Sequence, residues 1–149
     1  MGSDTSSFDS LIEDTYRLFS ADPALVINRT SDETLATAHV VVREVAFSVV
    51  YFRQKEGQPI TVFCDFGSVP EHKELTIYKQ LMEMNFHFSD AHSAAFCLNP
   101  ENGHVLFTLA ANLEQLTAPR LHHLFNELAT QATYWRSAET SCGPSRFVW

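Results

Sequence analysis

Residues 70–86, PEHKELTIYKQLMEMNF, most limit how this chain can fold, because they predict a helix with more apolar surface than one sheet can cover. Pro70 suits a helix start, and Glu71 and Glu74 favour the positive end of the helix dipole. Advancing about 100° per residue places the apolar side chains and one Asn on an arc of roughly 200°. In order around the arc, these residues are Met84, Ile77, Leu81, Asn85, Tyr78, Met82, Leu75 and Phe86.

The width of this arc predicts a second surface against the helix. A helix on a single core needs an apolar stripe of about 100° or somewhat more, so roughly half of the arc lacks a cover. Either a second copy of the chain supplies that cover, or the helix is sandwiched inside its own fold. Tyr and Met are enriched at interfaces, which favours self-association. We expect a homodimer interface that includes Leu75, Tyr78, Leu81, Met82 and Asn85.

The remaining elements predict an α+β fold. A first helix is expected to start at Ser6 or Ser7 and to end near Phe19, and a last helix is expected from Thr117 to about Ala138. The order α-βββ-α-ββ-α predicts an antiparallel five-stranded sheet with three helices. β-branched and aromatic residues place the five strands at residues 38–43, 47–53, 60–66, 93–98 and 104–110.

The chain is expected to form one domain. Its 149 residues are enough for a single core without metal or disulfide staples. Residues 24–29 predict a short extended piece, which a polar loop at 30–34 follows. We take residues 1–138 as the domain and 139–149 as a C-terminal tail, which is either disordered or tucked onto the domain.

Charge and cysteine content narrow the class of partner and the compartment. The formal net charge of -8 argues against nucleic acid or an anionic membrane as partner and favours a basic or amphipathic segment. No apolar run approaches the roughly 20 residues that span a bilayer, and residues 1–10 lack the features of a signal peptide. Cys64, Cys97 and Cys142 are odd in number, and two of them lie in apolar strand patterns. We therefore expect a cytosolic protein without a structural disulfide.

The candidate chemical groups do not form a catalytic or metal-binding pattern. His122 and His123 point to different faces of a helix, and no Cys-x-x-Cys or His-Glu-x-x-His accompanies the seven histidines, so no metal is expected. The sequence contains no glycine-rich phosphate loop, so no nucleotide cofactor is expected. Cys64 and Cys97 are expected to be core thiols rather than nucleophiles. Asp65, a carboxylate in an apolar strand, is either a perturbed general base or a residue on a solvated sheet face.

Four strings identify a family resemblance: DFGSVP at 65–70, IYKQLMEMN at 77–85, FCLNPENGH at 96–104 and ATYWR at 132–136. Through these strings and the order of its elements, the sequence resembles the class I chaperones of bacterial type III secretion, the Tir-chaperone family. The resemblance implies a cytoplasmic bacterial homodimer joined through the central helix, without nucleotide or metal. It also implies that the protein holds the extended N-terminal segment of a secreted effector and keeps that segment competent for export.

The strand composition suggests where such a segment binds. Residues 47–52 are apolar on both faces, which is costly in a solvated antiparallel sheet unless something covers the second face. A partner segment that adds as a strand and fills apolar pockets would supply that cover. We expect Phe47, Val49, Tyr51 and Phe63 to form these pockets.

Two other functions remain open from the sequence. A regulator of the same fold could sequester another protein instead of piloting a secreted substrate. A small dimeric enzyme with a helix wrapped by a sheet, such as a thioesterase-like domain, would need an acidic residue in a cleft near the central helix. Glu74 is the candidate for that acid.

Overall fold

Three helices and six strands make up the residues that this computed structural model describes, which are 2–19, 26–31, 35–53, 58–88 and 94–138. The predicted α+β class is confirmed, and the predicted tail at 139–149 lies outside the described residues. In chain order the elements are α1 Gly2–Leu18, β1 Val26–Ser31, β2 Leu35–Val42, β3 Val45–Phe52, β4 Pro59–Gly67, a 3-10 turn Glu71–Lys73, α2 Glu74–Phe88, β5 Ala94–Leu98, β6 Val105–Asn112 and α3 Ala118–Ala138.

The strands form one antiparallel sheet in the order β1-β2-β3-β4-β6-β5. The antiparallel arrangement is as predicted, but the described sheet has a sixth strand beyond the five that the sequence indicates. The additional strand is β1, which pairs with β2 from Val26 opposite Val41 to Ser31 opposite Ala36. Its centre reads Asn28-Arg29-Thr30, without the apolar alternation that marks a strand. Backbone pairing with β2 therefore defines this strand, and side-chain pattern does not.

A two-residue turn joins β2 to β3. Arg43 and Glu44 both adopt positive φ, at 49° and 67°, as the favoured two-residue hairpin turns require. The sequence places this break later, at residues 44–46, because the turn lacks the Asn or Gly that usually marks it. Arg43 Nη2 donates to the carbonyl of Asn126 at 2.6 Å and to Thr130 Oγ1 at 3.0 Å, which ties the turn to α3.

The main core lies between one face of the sheet and helices α1 and α3. Alternate residues of the central strands point into it, as the two-residue period of a strand requires. Phe47 of β3 meets Phe125 of α3 with ring centroids 4.8 Å apart, and Phe8 of α1 stacks on Tyr51 at 5.2 Å. The buried residues that β2, β3 and β4 direct to this face are Ala36, Ala38, Val40, Val42, Val45, Phe47, Val49, Tyr51, Ile60, Val62, Cys64 and Phe66.

A second group of rings joins the far strands to the helices. Phe66 of β4 contacts Trp135 of α3 at 5.7 Å and Phe96 of β5 at 5.5 Å. Phe107 of β6 lies 5.1 Å from Phe96 and 5.8 Å from Phe88, near the end of α2. These contacts fix α2 beside β5, at the edge of the sheet.

Candidate interaction surfaces

Helix α2 and strand β5 together form an apolar surface at one edge of the sheet, here called the α2–β5 surface. Leu75, Met82 and Phe86 of α2 are 84%, 73% and 76% exposed, and Leu98 of β5 is also exposed. An apolar groove of about 250 Å³ runs between the helix and the strand. Its lining residues are Tyr78, Leu81, Met82, Asn85, Phe96, Cys97 and Leu98.

The structure divides the wide apolar arc of α2 into two halves. Ile77 and Leu81 are buried in the core, and Tyr78 packs partly against it. The other half carries the exposed Leu75 and Met82 and has no cover within the described residues. Within the part of the chain that the structure describes, this half of the helix is therefore not sandwiched inside its own fold. Of the residues expected at a dimer interface, Leu75 and Met82 are exposed. Tyr78 lies at the rim of the groove, and Leu81 forms part of its floor.

Asn85, also expected at the dimer interface, is hydrogen-bonded within its own chain. Its Nδ2 donates to the carbonyl of Phe96 at 3.0 Å, and the Phe96 N–H donates to Asn85 Oδ1 at 2.7 Å. The side-chain amide thus pairs with the backbone of the edge strand β5. The position of β5 results from tertiary packing, so the sequence of α2 could not show this contact.

The sheet face opposite α1 and α3, here called the open face, is half-exposed and nearly uncharged. Val41, Val50, Phe63 and Leu106 contribute apolar groups, and small or hydroxyl side chains lie between them. Among the described residues of β2 to β6 that alternate onto this face, none is Lys, Arg or Glu, and Asp65 is the one carboxylate. Solvated sheet faces usually carry such residues, so a nearly uncharged and partly apolar face is typical of a docking surface.

The structure separates the four residues that the sequence assigns to partner pockets. Phe47, Val49 and Tyr51 lie in the core under α1 and α3, with at most 2% of each exposed. A partner could reach them only by displacing those helices, so they do not form surface pockets in this structure. Phe63 lies on the open face. The small residues Ala46 and Ser48 alternate with the buried set, and they are the sequence signal for the open face.

The contacts of Asp65 lie within the sheet and not in a catalytic cleft. Its Oδ1 accepts a hydrogen bond from the Gly67 N–H at 2.8 Å, where Gly67 has a φ of 102° beside a register shift in β4. His104 Nδ1 lies 3.0 Å from Asp65 Oδ2. Glu74 is exposed in the first turn of α2, and no carboxylate is among the groove's lining residues. The acid that a thioesterase-like site needs is therefore missing from this groove.

The two described cysteines differ in position. Cys64 is buried, as expected for a core thiol, whereas Cys97 is exposed on the edge strand, so the core prediction is wrong there. Burial raises the pKa of Cys64 against the opposing charge of Arg136, and partial burial raises the pKa of Cys97. Both thiols are thus protonated at neutral pH and poor nucleophiles.

Burial, followed by the neighbouring Glu74 carboxylate, also raises the pKa of Tyr78, so this phenol at the groove rim is neutral.

Within the described ranges, His, Cys, Asp and Glu form no group of three that could bind a metal ion. The helices in those ranges include none long and apolar enough to cross a membrane.

Comparison with known proteins gives one family and several similar folds. The model of the Tir chaperone protein (CesT) family matches residues 36–136, which run from β2 into the last turn of α3. A comparison with curated proteins gives no significant match.

Three solved complexes contain a chain with this fold. A chain of the ExsC–ExsE complex has a TM-score of 0.63 and 16% identity, covering 87% of this chain and 92% of that one. A chain of the Yersinia pestis complex between the type III secretion chaperone SycH and a stable fragment of YscM2 has a TM-score of 0.57 and 16% identity, covering 84% and 96%. A chain of the HopA1–SchA chaperone–effector complex has a TM-score of 0.58 and 14% identity, covering 89% and 94%.

Proposed function

The chain belongs to the Tir chaperone protein (CesT) family, and from this premise we propose that it binds the extended N-terminal segment of a type III secreted effector. It keeps that segment competent for export, and it works in the bacterial cytoplasm without catalysing a reaction. The three solved complexes are of a chaperone with an effector, of a chaperone with a protein fragment and of two associated proteins, which supports a protein as the ligand.

The open face of the sheet is the observation that carries this proposal. It offers Val50 and Phe63 as apolar contacts and Thr61 and Thr108 as hydroxyl contacts, and Asp65 is the one carboxylate among the described residues that alternate onto it. An unfolded segment loses conformational entropy when it binds, so its affinity must come from a long path of modest contacts. A broad and weakly polar face suits such a path better than a deep pocket would.

Co-purification of the untagged protein from its native host, followed by identification of the bound protein, supplies the partner for the test. The N-terminal fragment of that partner is then mixed with the chaperone, and its amide hydrogen exchange is measured. We expect the fragment's amides to exchange more slowly in the complex. Absence of protection, or a requirement for a folded partner, would contradict the proposal and favour the sequestering regulator.

Two matched variants test the surface itself. Phe63→Glu places a charge on the open face, and we expect it to weaken fragment binding by about tenfold or more, since a desolvated charge costs more than 1.4 kcal/mol. Tyr134→Glu places the same charge on an exposed aromatic position of α3, which is 55% exposed, and should leave binding unchanged. Equal binding by both variants would remove the open face from the proposal.

We further propose that the α2–β5 surface joins two copies of the chain. Leu75, Met82 and Phe86 would be covered in the dimer, and burial of each side chain contributes about 1.5 to 3 kcal/mol. We expect the unaltered protein to sediment as a dimer at micromolar concentration and Met82→Asp to sediment as a monomer. Thr76→Asp, on an exposed position of the same helix, should remain dimeric. A monomeric unaltered protein would overturn this assignment.

A further inference from the structure

The two edges of the sheet differ in what they offer to an added strand. β1, at one edge, pairs with β2 and has no second strand neighbour in the described part of the chain. β5, at the other edge, pairs with β6. At an open edge, every second residue directs its N–H and C=O outward, and an added strand bonds to these groups. Phe96 is such a residue of β5, and Asn85 already occupies both of its groups.

The Asn85 side chain reproduces the contact that a neighbouring strand would make. A carboxamide offers one carbonyl and one N–H side by side, as a peptide group does. The two bonds, at 3.0 Å and 2.7 Å, are the pair that one residue of an antiparallel partner would exchange with Phe96. A strand that added at β5 would have to break both of them.

Helix α2 holds the amide in this position. Leu81, one turn before Asn85, is buried in the core. Phe88, near the end of the helix, lies 6.1 Å from the Phe96 ring. Because the helix is anchored on both sides of Asn85, an added strand would also have to move α2 away from the sheet.

We propose that Asn85 is a specificity-determining residue that closes the β5 edge. Partner segments then extend the sheet at β1 and not at β5, and a second copy of the chain meets β5 through side chains and not through strand pairing. The statement about partner segments rests on the proposed function, whereas the closure of the edge can be tested on the protein alone.

The first test measures amide hydrogen exchange at Phe96 in the folded protein. Asn85→Ala should speed this exchange by about tenfold, the effect of losing a typical hydrogen bond. Asn85→Asp should give a rate between the two, because a carboxylate still accepts from the Phe96 N–H but cannot donate to the Phe96 carbonyl. Glu83→Ala, at an exposed position of the same helix, should change nothing. An unchanged rate in Asn85→Ala contradicts the proposal.

The second test follows self-association by sedimentation. Asn85→Ala frees a strand edge, and we expect concentration-dependent species larger than the unaltered protein forms. Asn85→Asp should not form them, because a charge at an edge opposes pairing. If Asn85→Ala matches the unaltered protein in size at every concentration, or if Asn85→Asp associates equally, the edge is not controlled by this amide.

The third test uses the N-terminal fragment of the co-purified partner. In the unaltered protein the fragment should protect amides of β1 and leave those of β5 unchanged, and in Asn85→Ala it should also protect Phe96. Protection of β5 in the unaltered protein would overturn the closure while the proposed function stands. Protection of neither edge would rule out strand addition by the partner segment and leave its proposed binding to the open face, and the exchange rate of Phe96 would still decide the role of Asn85.

Discussion

Helices α2 and α3 are both amphipathic, but α3 has most of its apolar face covered by its own domain, whereas α2 has about half. Six residues of α3 are buried, and α3 contacts β2, β3 and β4. They are Leu121, Phe125, Leu128, Ala129, Ala132 and Trp135. In α2 the buried residues are Ile77 and Leu81, while Leu75, Met82 and Phe86 remain in solvent.

The contrast separates two uses of apolar surface. On α3 it stabilises the fold of one copy, because each side chain leaves water when the chain folds. On the outer half of α2 it contributes nothing to that fold and becomes useful when another protein surface covers it. Substitutions on α3 should therefore change the free energy of unfolding, and substitutions on the outer half of α2 should change association.

The largest effect is expected at Trp135. Its side chain is fully buried and meets Phe66 edge to face at 5.7 Å. Trp135→Ala should lower the free energy of unfolding by about 3 to 5 kcal/mol through lost burial and an unfilled cavity. Tyr134→Ala, at the exposed neighbouring position, should change it by no more than about 0.5 kcal/mol. Urea denaturation of the two variants measures both values, and equal losses would contradict the account of α3.

The inner half of α2 should behave like α3. Leu81 is buried, so Leu81→Ala should cost about 2 to 5 kcal/mol of folding free energy. Met82→Ala, one residue further, should cost no more than about 0.5 kcal/mol, measured in the same denaturation series. For this reason Leu81→Asp cannot test the dimer alone, since it also damages one copy. A large loss of folding free energy in Met82→Ala, measured at a concentration where the protein is monomeric, would contradict the division of α2 into an inner and an outer half.

A smaller effect is expected at Arg136, in the last turn of α3. Its guanidinium donates to the carbonyls of Asp65, Phe66 and Glu44 at 2.8, 3.1 and 3.2 Å. Arg136→Met should destabilise the fold by about 1 to 3 kcal/mol, because these carbonyls lose a charged donor. Arg136→Lys should recover part of this, since an ammonium lacks the planar fork. Thermal unfolding ranks the three proteins, and a fully stable Arg136→Met would show that water replaces the guanidinium.

The wide apolar arc of α2 could be predicted from the sequence because helical spacing alone fixes the angles of its residues, but the spacing did not show that Leu81 lies in the buried half. The two faces of the sheet were harder to assign. Strand β3 has Val50 and Phe52 on one face and Val49 and Tyr51 on the other, so its large apolar residues do not say which face the helices cover, and only the small Ala46 and Ser48 mark the open one. This choice depends on contacts with α1 and α3, far away in the chain.

Contacts that join distant parts of the chain could not be predicted from the sequence for a related reason. Strand β1 is defined by backbone pairing with β2, and the hydrogen bonding of Asn85 depends on the approach of Phe96. Arg43 and Glu44 adopt positive φ without Gly or Asn, and the Arg43 contacts with α3 accompany that turn. In each case tertiary packing overrides local preference, so local pattern carries no signal.

The cover that α3 gives to the central strands also has a consequence for synthesis of the protein. The strands β2, β3 and β4 are translated before α3, and about 100 residues separate Leu35 from the end of that helix. At about 5 to 20 residues per second, the ribosome needs roughly 5 to 20 seconds to complete this stretch. Until that helix is complete, Phe47 and Phe66 lack its cover. We therefore expect the nascent chain to carry these apolar side chains without the cover of α3, the condition in which an unfolded client needs protection.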